Sequence, residues 1–178
     1  ISLFLIKKEK MTEDIKNYLK ICLTLVIFLL LDLLSFSTTL DQIMPAFFLL
    51  GFIYWNIALP EKINLYFSVL FGFILDFING NPLGLYPMIL ITLSYLAQRF
   101  FYQFRPLRFV QQAFIIFIIF LILKFVLAID YKNINTEVLS LADKTYLYNS
   151  IIFSLVNSFT WILIYQVLRE YRRRWIKT

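Results

Sequence analysis

Residues 109–129 read FVQQAFIIFIIFLILKFVLAI, an apolar run that is interrupted only near its ends. A helix of about 20 apolar residues crosses the ~30 Å hydrocarbon core of a bilayer. Two further runs, residues 21–40 and 146–168, reach the same length. The three runs predict an integral membrane protein built from helices.

Three other apolar runs bring the set to six. Residues 45–59 and 63–78 lie on either side of a break at Pro60, and residues 85–104 follow a polar turn. The two runs beside Pro60 span only about 22–24 Å at 1.5 Å per residue, so either the bilayer thins there or their ends are buried in protein. We predict an all-α fold: a polytopic bundle of six transmembrane helices over residues 21–168.

The composition supports a membrane protein and excludes several classes of site. Hydrophobic residues make up 61% of the chain and charged residues 16%, against about 45–50% and about 25% in soluble domains. The chain has no histidine, and its one cysteine, Cys22, lies in an apolar run. A disulfide within the chain and a Cys/His metal cluster are therefore excluded. We expect no catalytic residue, metal site or cofactor.

The basic residues indicate the orientation in the membrane. Of the 17 lysines and arginines, Lys132 and Lys144 fall outside if the N-terminus is inside, Lys124 falls within a run, and the other 14 fall inside. The positive-inside rule requires such a bias, so we predict that both termini are cytoplasmic. Residues 1–20 then form a cytoplasmic segment, and residues 169–178 form a basic tail that contacts anionic lipid and not nucleic acid.

Two features of the first half of the chain bear on its helix ends. Residues 1–10 are unlike a signal peptide, because their apolar residues precede the lysines, and Met11 offers a second candidate start with residues 1–10 as an extension. The first membrane helix is expected to end near residues 37–39, which are polar. The aromatic cluster at residues 54–56 is expected at the level of the lipid headgroups.

The strongest turn signal is NGNPLG at residues 79–84. Its two glycines permit positive φ, and proline and asparagine favour a turn. In the preceding run, a glycine and an aspartate lie four residues apart and therefore on one helix face. Together with Pro60, the residues of interest in this region are Gly72, Asp76, Gly80, Pro82 and Gly84.

Three ionisable residues, Asp32, Asp76 and Lys124, fall inside the predicted spans. A charge at membrane depth costs about 2.5–3.5 kcal/mol on insertion scales, so it usually faces the bundle interior and has a partner. At 1.5 Å per residue, Asp32, Asp76 and Lys124 lie ~17, ~20 and ~22 Å, respectively, from the inner ends of their runs. We predict that they form a polar node in the outer half of the bilayer, with Asp76 paired to Lys124. Alternatively, Asp76 caps a helix, and Asp32 faces a water-filled cavity or is neutral.

An aspartyl protease would also place two aspartates, such as Asp32 and Asp76, on different membrane helices. General acid–base catalysis needs both carboxylates at one scissile bond. A nearby Lys124 would keep an aspartate ionised and prevent the sharing of a proton. We therefore predict that the protein is not an enzyme.

The sequence around the Pro60 break resembles the rod shape-determining MreD family of bacteria. The resemblance rests on an aromatic pair, a Leu-Pro turn, a helix with Gly-x-x-x-Asp-x-x-x-Gly and a closing Leu-Gly. The resemblance extends to a basic loop at Arg105 and to a glutamine pair at the start of the fifth helix. The matching residues are Tyr54, Trp55, Leu59, Pro60, Gly72, Asp76, Gly80, Leu83, Gly84, Arg105, Gln111 and Gln112.

This resemblance implies a non-enzymatic scaffold in the bacterial cytoplasmic (inner) membrane. It implies a role in the cell-elongation machinery, which controls lateral peptidoglycan synthesis and rod shape. The implied partners are the bitopic protein MreC, the filament protein MreB, the glycosyltransferase RodA and its class B penicillin-binding transpeptidase.

A second class of protein also fits six helices and a glycine-rich turn: the substrate-binding membrane subunit of an energy-coupling vitamin transporter. Such subunits dock their coupling subunit through small residues on the first helix, which allow close helix packing. Residues 21–40 contain neither alanine nor glycine, which argues against this alternative.

A scaffold acts through its surfaces, so the sequence also suggests where a partner docks. The last two helices are long and flank the outer segment 130–145. We predict that a bitopic partner docks beside them and that this outer segment contacts it. The candidate hydrogen-bonding residues for the partner are Asn149, Ser150, Ser154, Asn157 and Ser158.

Overall fold

The computed structural model describes residues 2–34, 43–60, 63, 65–80, 82–104, 106–134 and 144–175. Within these residues the chain forms six α-helices and no strand. The all-α prediction is confirmed, and each helix overlaps one predicted apolar run. In chain order the helices are α1 (Ser2–Asp32), α2 (Phe47–Ala58), α3 (Leu65–Asn79), α4 (Leu85–Phe104), α5 (Phe109–Ile134) and α6 (Lys144–Trp175).

Two of the described helices are long and apolar enough to cross a membrane, α5 over Phe109–Leu127 and α6 over Tyr146–Trp175. Only 28% and 33% of their most apolar windows are buried. The core helix of a soluble protein is mostly buried, so helices that are apolar and exposed indicate contact with lipid. The helices α2 and α3 are apolar but shorter.

The shortest helix, α2, lies in the middle of the bundle. All residues from Phe48 to Ile57 are buried, and α2 packs against α1, α4 and α6. The aromatic cluster at residues 54–56, expected at the headgroup level, is packed between helices. Tyr54, Trp55 and Asn56 are at most 2% exposed, because neighbouring helices surround this part of α2.

The first helix ends earlier than the sequence predicts. α1 stops at Asp32, and Leu33 and Leu34 close its last turn by donating to Leu29 and Leu31. The expected end near residues 37–39 lies outside the described part of the chain. At the end of α1, the carboxylate of Asp32 accepts two backbone hydrogen bonds from the start of α2.

The remaining helices form two closely packed pairs, α3 with α4 and α5 with α6. α3 and α4 are joined by the predicted turn at residues 79–84, and α4 and α5 by a short loop. Between α4 and α5, side chains line an apolar cleft whose floor is α2.

Candidate functional site

The turn between α3 and α4 is organised by the carboxylate of Asp76, which is fully buried. Its Oδ2 accepts the backbone N–H of Gly84 at 2.6 Å, and its Oδ1 accepts the N–H of Tyr86 at 2.9 Å. The first N–H groups of a helix have no partner within the helix. An aspartate is among the best acceptors for them, because its negative charge also interacts favourably with the positive end of the helix dipole. Asp76 is thus the cap of α4, carried by α3.

The glycines around Asp76 make this arrangement sterically accessible. Gly80 has φ +65° and Gly84 has φ +108°, where side chains other than hydrogen are strained. Gly72, one turn before Asp76, lies against the start of α4. A Cβ at Gly72 would lie 2.5 Å from the backbone nitrogen of Pro87. The spacing Gly-x-x-x-Asp-x-x-x-Gly therefore encodes close contact, a helix cap and a chain reversal.

Two prolines mark the ends of this region. Pro60 follows the end of α2, where Leu59 donates its N–H to the carbonyl of Trp55. The carbonyl of Pro82 accepts the N–H of Leu85 at 3.3 Å, just before α4 begins. Both prolines lie where a helix stops or starts, the positions at which the missing N–H is tolerated.

The start of α2 is capped from two other helices. Asp32 of α1 accepts the N–H of Phe47 at 2.7 Å and of Phe48 at 2.9 Å. Asn157 of α6 accepts the N–H of Ala46 at 2.9 Å through its side-chain oxygen. At the other end of α2, Arg172 of α6 donates to the carbonyl of Ala58 at 3.3 Å. The ends of this short helix are therefore satisfied by protein.

The three residues of the predicted polar node are only partly brought together. Asp32 and Lys124 line one cavity of about 340 Å³, and Asp76 is not among its lining residues. The ammonium of Lys124 lies 4.1 Å from the centre of the Phe153 ring, a cation–π contact. An ion pair within 4 Å joins Arg174 to Glu170 on the surface of α6. The carboxylates of Asp32 and Asp76 instead bind backbone N–H groups.

A second polar network, between α2 and α4, is not evident from the sequence. The Oδ1 of Asn56 accepts the hydroxyl of Ser94 at 2.6 Å. Gln98 donates to Asn56 at 3.4 Å and to the carbonyl of Ile63 at 2.9 Å. Asn56 and Ser94 are fully buried. The available signal was Ser94 and Gln98 four residues apart in an apolar run, which places them on one face.

The glutamine pair at the start of α5 closes the loop between α4 and α5. Gln112 is buried and donates to the carbonyls of Phe104 and Leu107 at 3.4 and 3.1 Å. Its Oε1 accepts from the indole of Trp161 on α6 at 3.4 Å. Gln111 accepts the N–H of Arg108 at 3.1 Å. The pair therefore satisfies the end of α4 and the start of α5.

The polar residues proposed for partner binding on α6 mostly face the bundle interior. Ser154 and Asn157 are fully buried, and Ser150 is 3% exposed. Ser150 and Ser154 donate to carbonyls of their own helix, and Ser158 donates to Ala113 of α5 at 2.9 Å. Asn149, in the first turns of α6, is half-buried. The assignment of this set to a partner helix therefore gains no support from the structure, because their polar atoms are already bonded inside the bundle.

The described side chains thus define a class: a helical membrane protein whose buried polar groups hold helix ends together. Within the described residues, no group of three or more histidine, cysteine, aspartate or glutamate side chains is placed to hold a metal ion. The carboxylates of Asp32, which is exposed, and of Asp76, which is fully buried, each accept two backbone N–H groups.

Comparison with known proteins identifies the family within this class. The sequence profile of the rod shape-determining protein MreD family matches residues 13–171, and the chain belongs to that family. A curated relative, the rod shape-determining protein MreD of Haemophilus influenzae, is 23% identical over 164 residues, which cover 92% of this chain and 96% of the relative. No solved structure is significantly similar to the chain. The vitamin-transporter alternative gains no support from these comparisons.

Proposed function

We propose that this chain is a non-enzymatic scaffold of the bacterial cell-elongation machinery and that it maintains rod shape together with an MreC-like bitopic protein. Membership of the MreD family supports this role, and the curated relative is itself named as rod shape-determining. The chain crosses the cytoplasmic (inner) membrane six times, with both termini inside. The excess of lysine and arginine in the inner segments supports this orientation.

The observation that carries the scaffold role is the division between polar interior and apolar exterior. In the described part of the chain, several buried polar side chains cap helices or bridge them, as Asp76, Asn56 and Gln112 do. The outward faces of the helices carry large apolar side chains. Such a protein can bind other membrane helices through the packing of its apolar outer faces.

The partner helix docks on the exposed face of α6. This face, here called the α6 stripe, repeats every three or four residues, so it forms one continuous line along the helix. Its members are Tyr148, Ile151, Leu155, Phe159, Leu163 and Val167, all exposed. Helices associate in lipid through close packing and a few hydrogen bonds, because burying apolar surface gains little there.

Further contacts complete the proposed assembly. The outer segment 130–145 lies largely outside the described residues and is proposed to contact the base of the partner. MreB, RodA and the class B penicillin-binding transpeptidase join the same machinery. The arginines in the last turn of α6 and the basic tail after them hold the inner end of the helix at anionic lipid.

Site-specific photocrosslinking in living cells tests the docking face. A photoreactive amino acid replaces Leu155 or Phe159 on the α6 stripe, and Leu70 on α3 serves as the matched control because it is equally apolar and exposed. We expect both α6 positions to capture a single-pass membrane protein and Leu70 to capture little. Capture that is confined to α3 would contradict docking on α6.

A further inference from the structure

The apolar cleft between α4 and α5 has a narrow part with a volume of about 410 Å³. Ile53 and Ile57 of α2 form its floor. Its walls come from one face of α4, from Leu93 to Phe104, and from Leu107, Ile115 and Ile119 near the start of α5. Gln103 is the polar side chain among these lining residues.

The depth of this narrow part matches one leaflet of a bilayer. From Leu93 to Phe104 the wall of α4 is about 17 Å long at 1.5 Å per residue, and half of the hydrocarbon core is about 15 Å. The loop between α4 and α5 closes one end, where Gln112 holds the carbonyls of Phe104 and Leu107. Beyond Leu93 the cleft continues into a wider part between the first half of α4 and the middle of α5. This wide part has a volume of about 650 Å³.

Positive charge lies at the closed end. Arg99 is three residues after Leu96 and four before Gln103, so it lies on the same side of α4 as these two cleft residues. Arg108 directly follows Leu107, which lines the cleft. Both arginines are exposed. An apolar slot one leaflet deep with two cations beside its loop end matches one chemical class, an amphiphile with an acyl chain and an anionic head.

We propose that the narrow part of the α4–α5 cleft binds an acyl chain of an anionic phospholipid, with the phosphate head held by Arg99 and Arg108. A transmembrane helix would occupy the narrow and the wide parts together, whereas an acyl chain needs only the narrow part. The lipid separates α4 from α5 and supports the buried α2 from the side. The orientation proposed above places this lipid in the inner leaflet. The cleft and its two arginines do not depend on that orientation.

Native mass spectrometry of the full chain in mild detergent tests the site. The purified protein is titrated with phosphatidylglycerol and with phosphatidylcholine, and the bound fraction is measured. Ala97→Trp fills the narrow part, because Ala97 lines it, while Ile122→Trp fills only the wide part. The double variant Arg99→Gln/Arg108→Gln removes the cations, and Lys16→Gln/Lys144→Gln removes two exposed cations far from the cleft in sequence as the control.

We expect the wild type to prefer phosphatidylglycerol over phosphatidylcholine. Affinity for it should fall about fivefold for each of Arg99 and Arg108 removed. Ala97→Trp should abolish the preference, and both controls should bind like the wild type. If Ala97→Trp does not fold, the arginine variant and its lysine control decide alone, since their changes are on the surface.

Three results would overturn the proposal. The first is equal binding of the two lipids by the wild type. The second is equal loss in the Lys16→Gln/Lys144→Gln control. The third is equal loss in Ile122→Trp, because filling the wide part should leave the narrow part free for the acyl chain. Each readout uses purified protein, so its failure would leave the proposed role in cell shape unaffected.

Discussion

At the scale of single residues, several polar side chains satisfy helix ends. Asp32 and Asn157 bind the first N–H groups of α2, Asp76 binds those of α4, and Gln112 binds the last carbonyls of α4. A membrane interior provides no water for such groups, and each one left unsatisfied costs several kcal/mol. The aspartate in the Gly-x-x-x-Asp pattern therefore has a structural task.

The first prediction concerns Asp76. Alanine removes both acceptors and leaves the buried N–H groups of Gly84 and Tyr86 unpaired, so Asp76→Ala should destabilise the protein by about 2 kcal/mol. Asp76→Asn keeps one oxygen and should cost about half as much. The free energy of unfolding in detergent gives the comparison. Glu170→Gln, which breaks an exposed ion pair, is the control and should change little. Equal loss in the asparagine and alanine variants would contradict the cap.

The second prediction concerns the sequence-based pairing of Asp76 with Lys124. Asp76 binds backbone and Lys124 lies over the Phe153 ring, so the two residues should act independently. A double-mutant cycle with Asp76→Asn and Lys124→Met should give a coupling energy within about 0.5 kcal/mol of zero. A coupling of about 3 kcal/mol, as expected when one partner of a buried ion pair is lost, would restore the predicted pair.

The sequence identifies these residues better than it identifies their roles. A charge in an apolar run is conspicuous, and capping by Asp76 was one of the two interpretations of its position. The serines and asparagines of α6 were assigned to a partner because the last two helices are long and flank the outer segment, a pattern that does not distinguish the interior face of α6 from its lipid face. Asn157 bonds to Ala46, which is 111 residues away, and no local pattern predicts such a contact.

At the scale of secondary-structure elements, α2 is explained by its neighbours. Its 12 residues span only about 18 Å, less than the hydrocarbon core. Of the two explanations that the sequence left open, buried ends fit the structure. Asp32 and Asn157 bond at the start of α2, and Arg172 bonds at its end. A helix with satisfied ends and a fully apolar surface is stable in the middle of a bundle.

The third prediction compares two glycines that each contact another helix. A Cβ at Gly72 would meet the backbone of Pro87, which is fixed in the first turn of α4. A Cβ at Gly51 would meet only the ring of Phe28, a side chain that can rotate away. Gly72→Ala should therefore cost about 1–3 kcal/mol by overpacking, and Gly51→Ala clearly less. Thermal unfolding in detergent measures both, and the reverse order would contradict the close contact of α3 with α4.

Element positions are the part of the fold that the sequence predicts well. The six apolar runs correspond to the six described helices, because long apolar runs and proline or glycine breaks are strong local signals. The end of the first helix was misplaced, since α1 already ends at Asp32. The carboxylate of Asp32 bonds to the start of α2, a contact that the local sequence does not show. Likewise, the burial of the aromatic cluster in α2 depends on which helices surround it.

At the scale of the whole molecule, the bundle divides into a tightly bonded interior and an apolar exterior. The helix pairs α3–α4 and α5–α6 are each closely packed, and α2 joins them through its contacts with α4 and α6. The exterior has two distinct surfaces that the proposals use. The α6 stripe is a continuous line along one helix, and the narrow part of the α4–α5 cleft is a slot one leaflet deep. A protein of this form is suited to hold a partner helix in place.

The measurement that tests the central claim most directly is the shape of rod-shaped host cells after depletion of this protein. The length-to-width ratio of single cells is followed by microscopy, with wild-type protein supplied in parallel to restore it. We predict that depleted cells become round while septation continues, and that the wild-type chain restores rods. Cells that keep their rod shape after full depletion would contradict the proposed function.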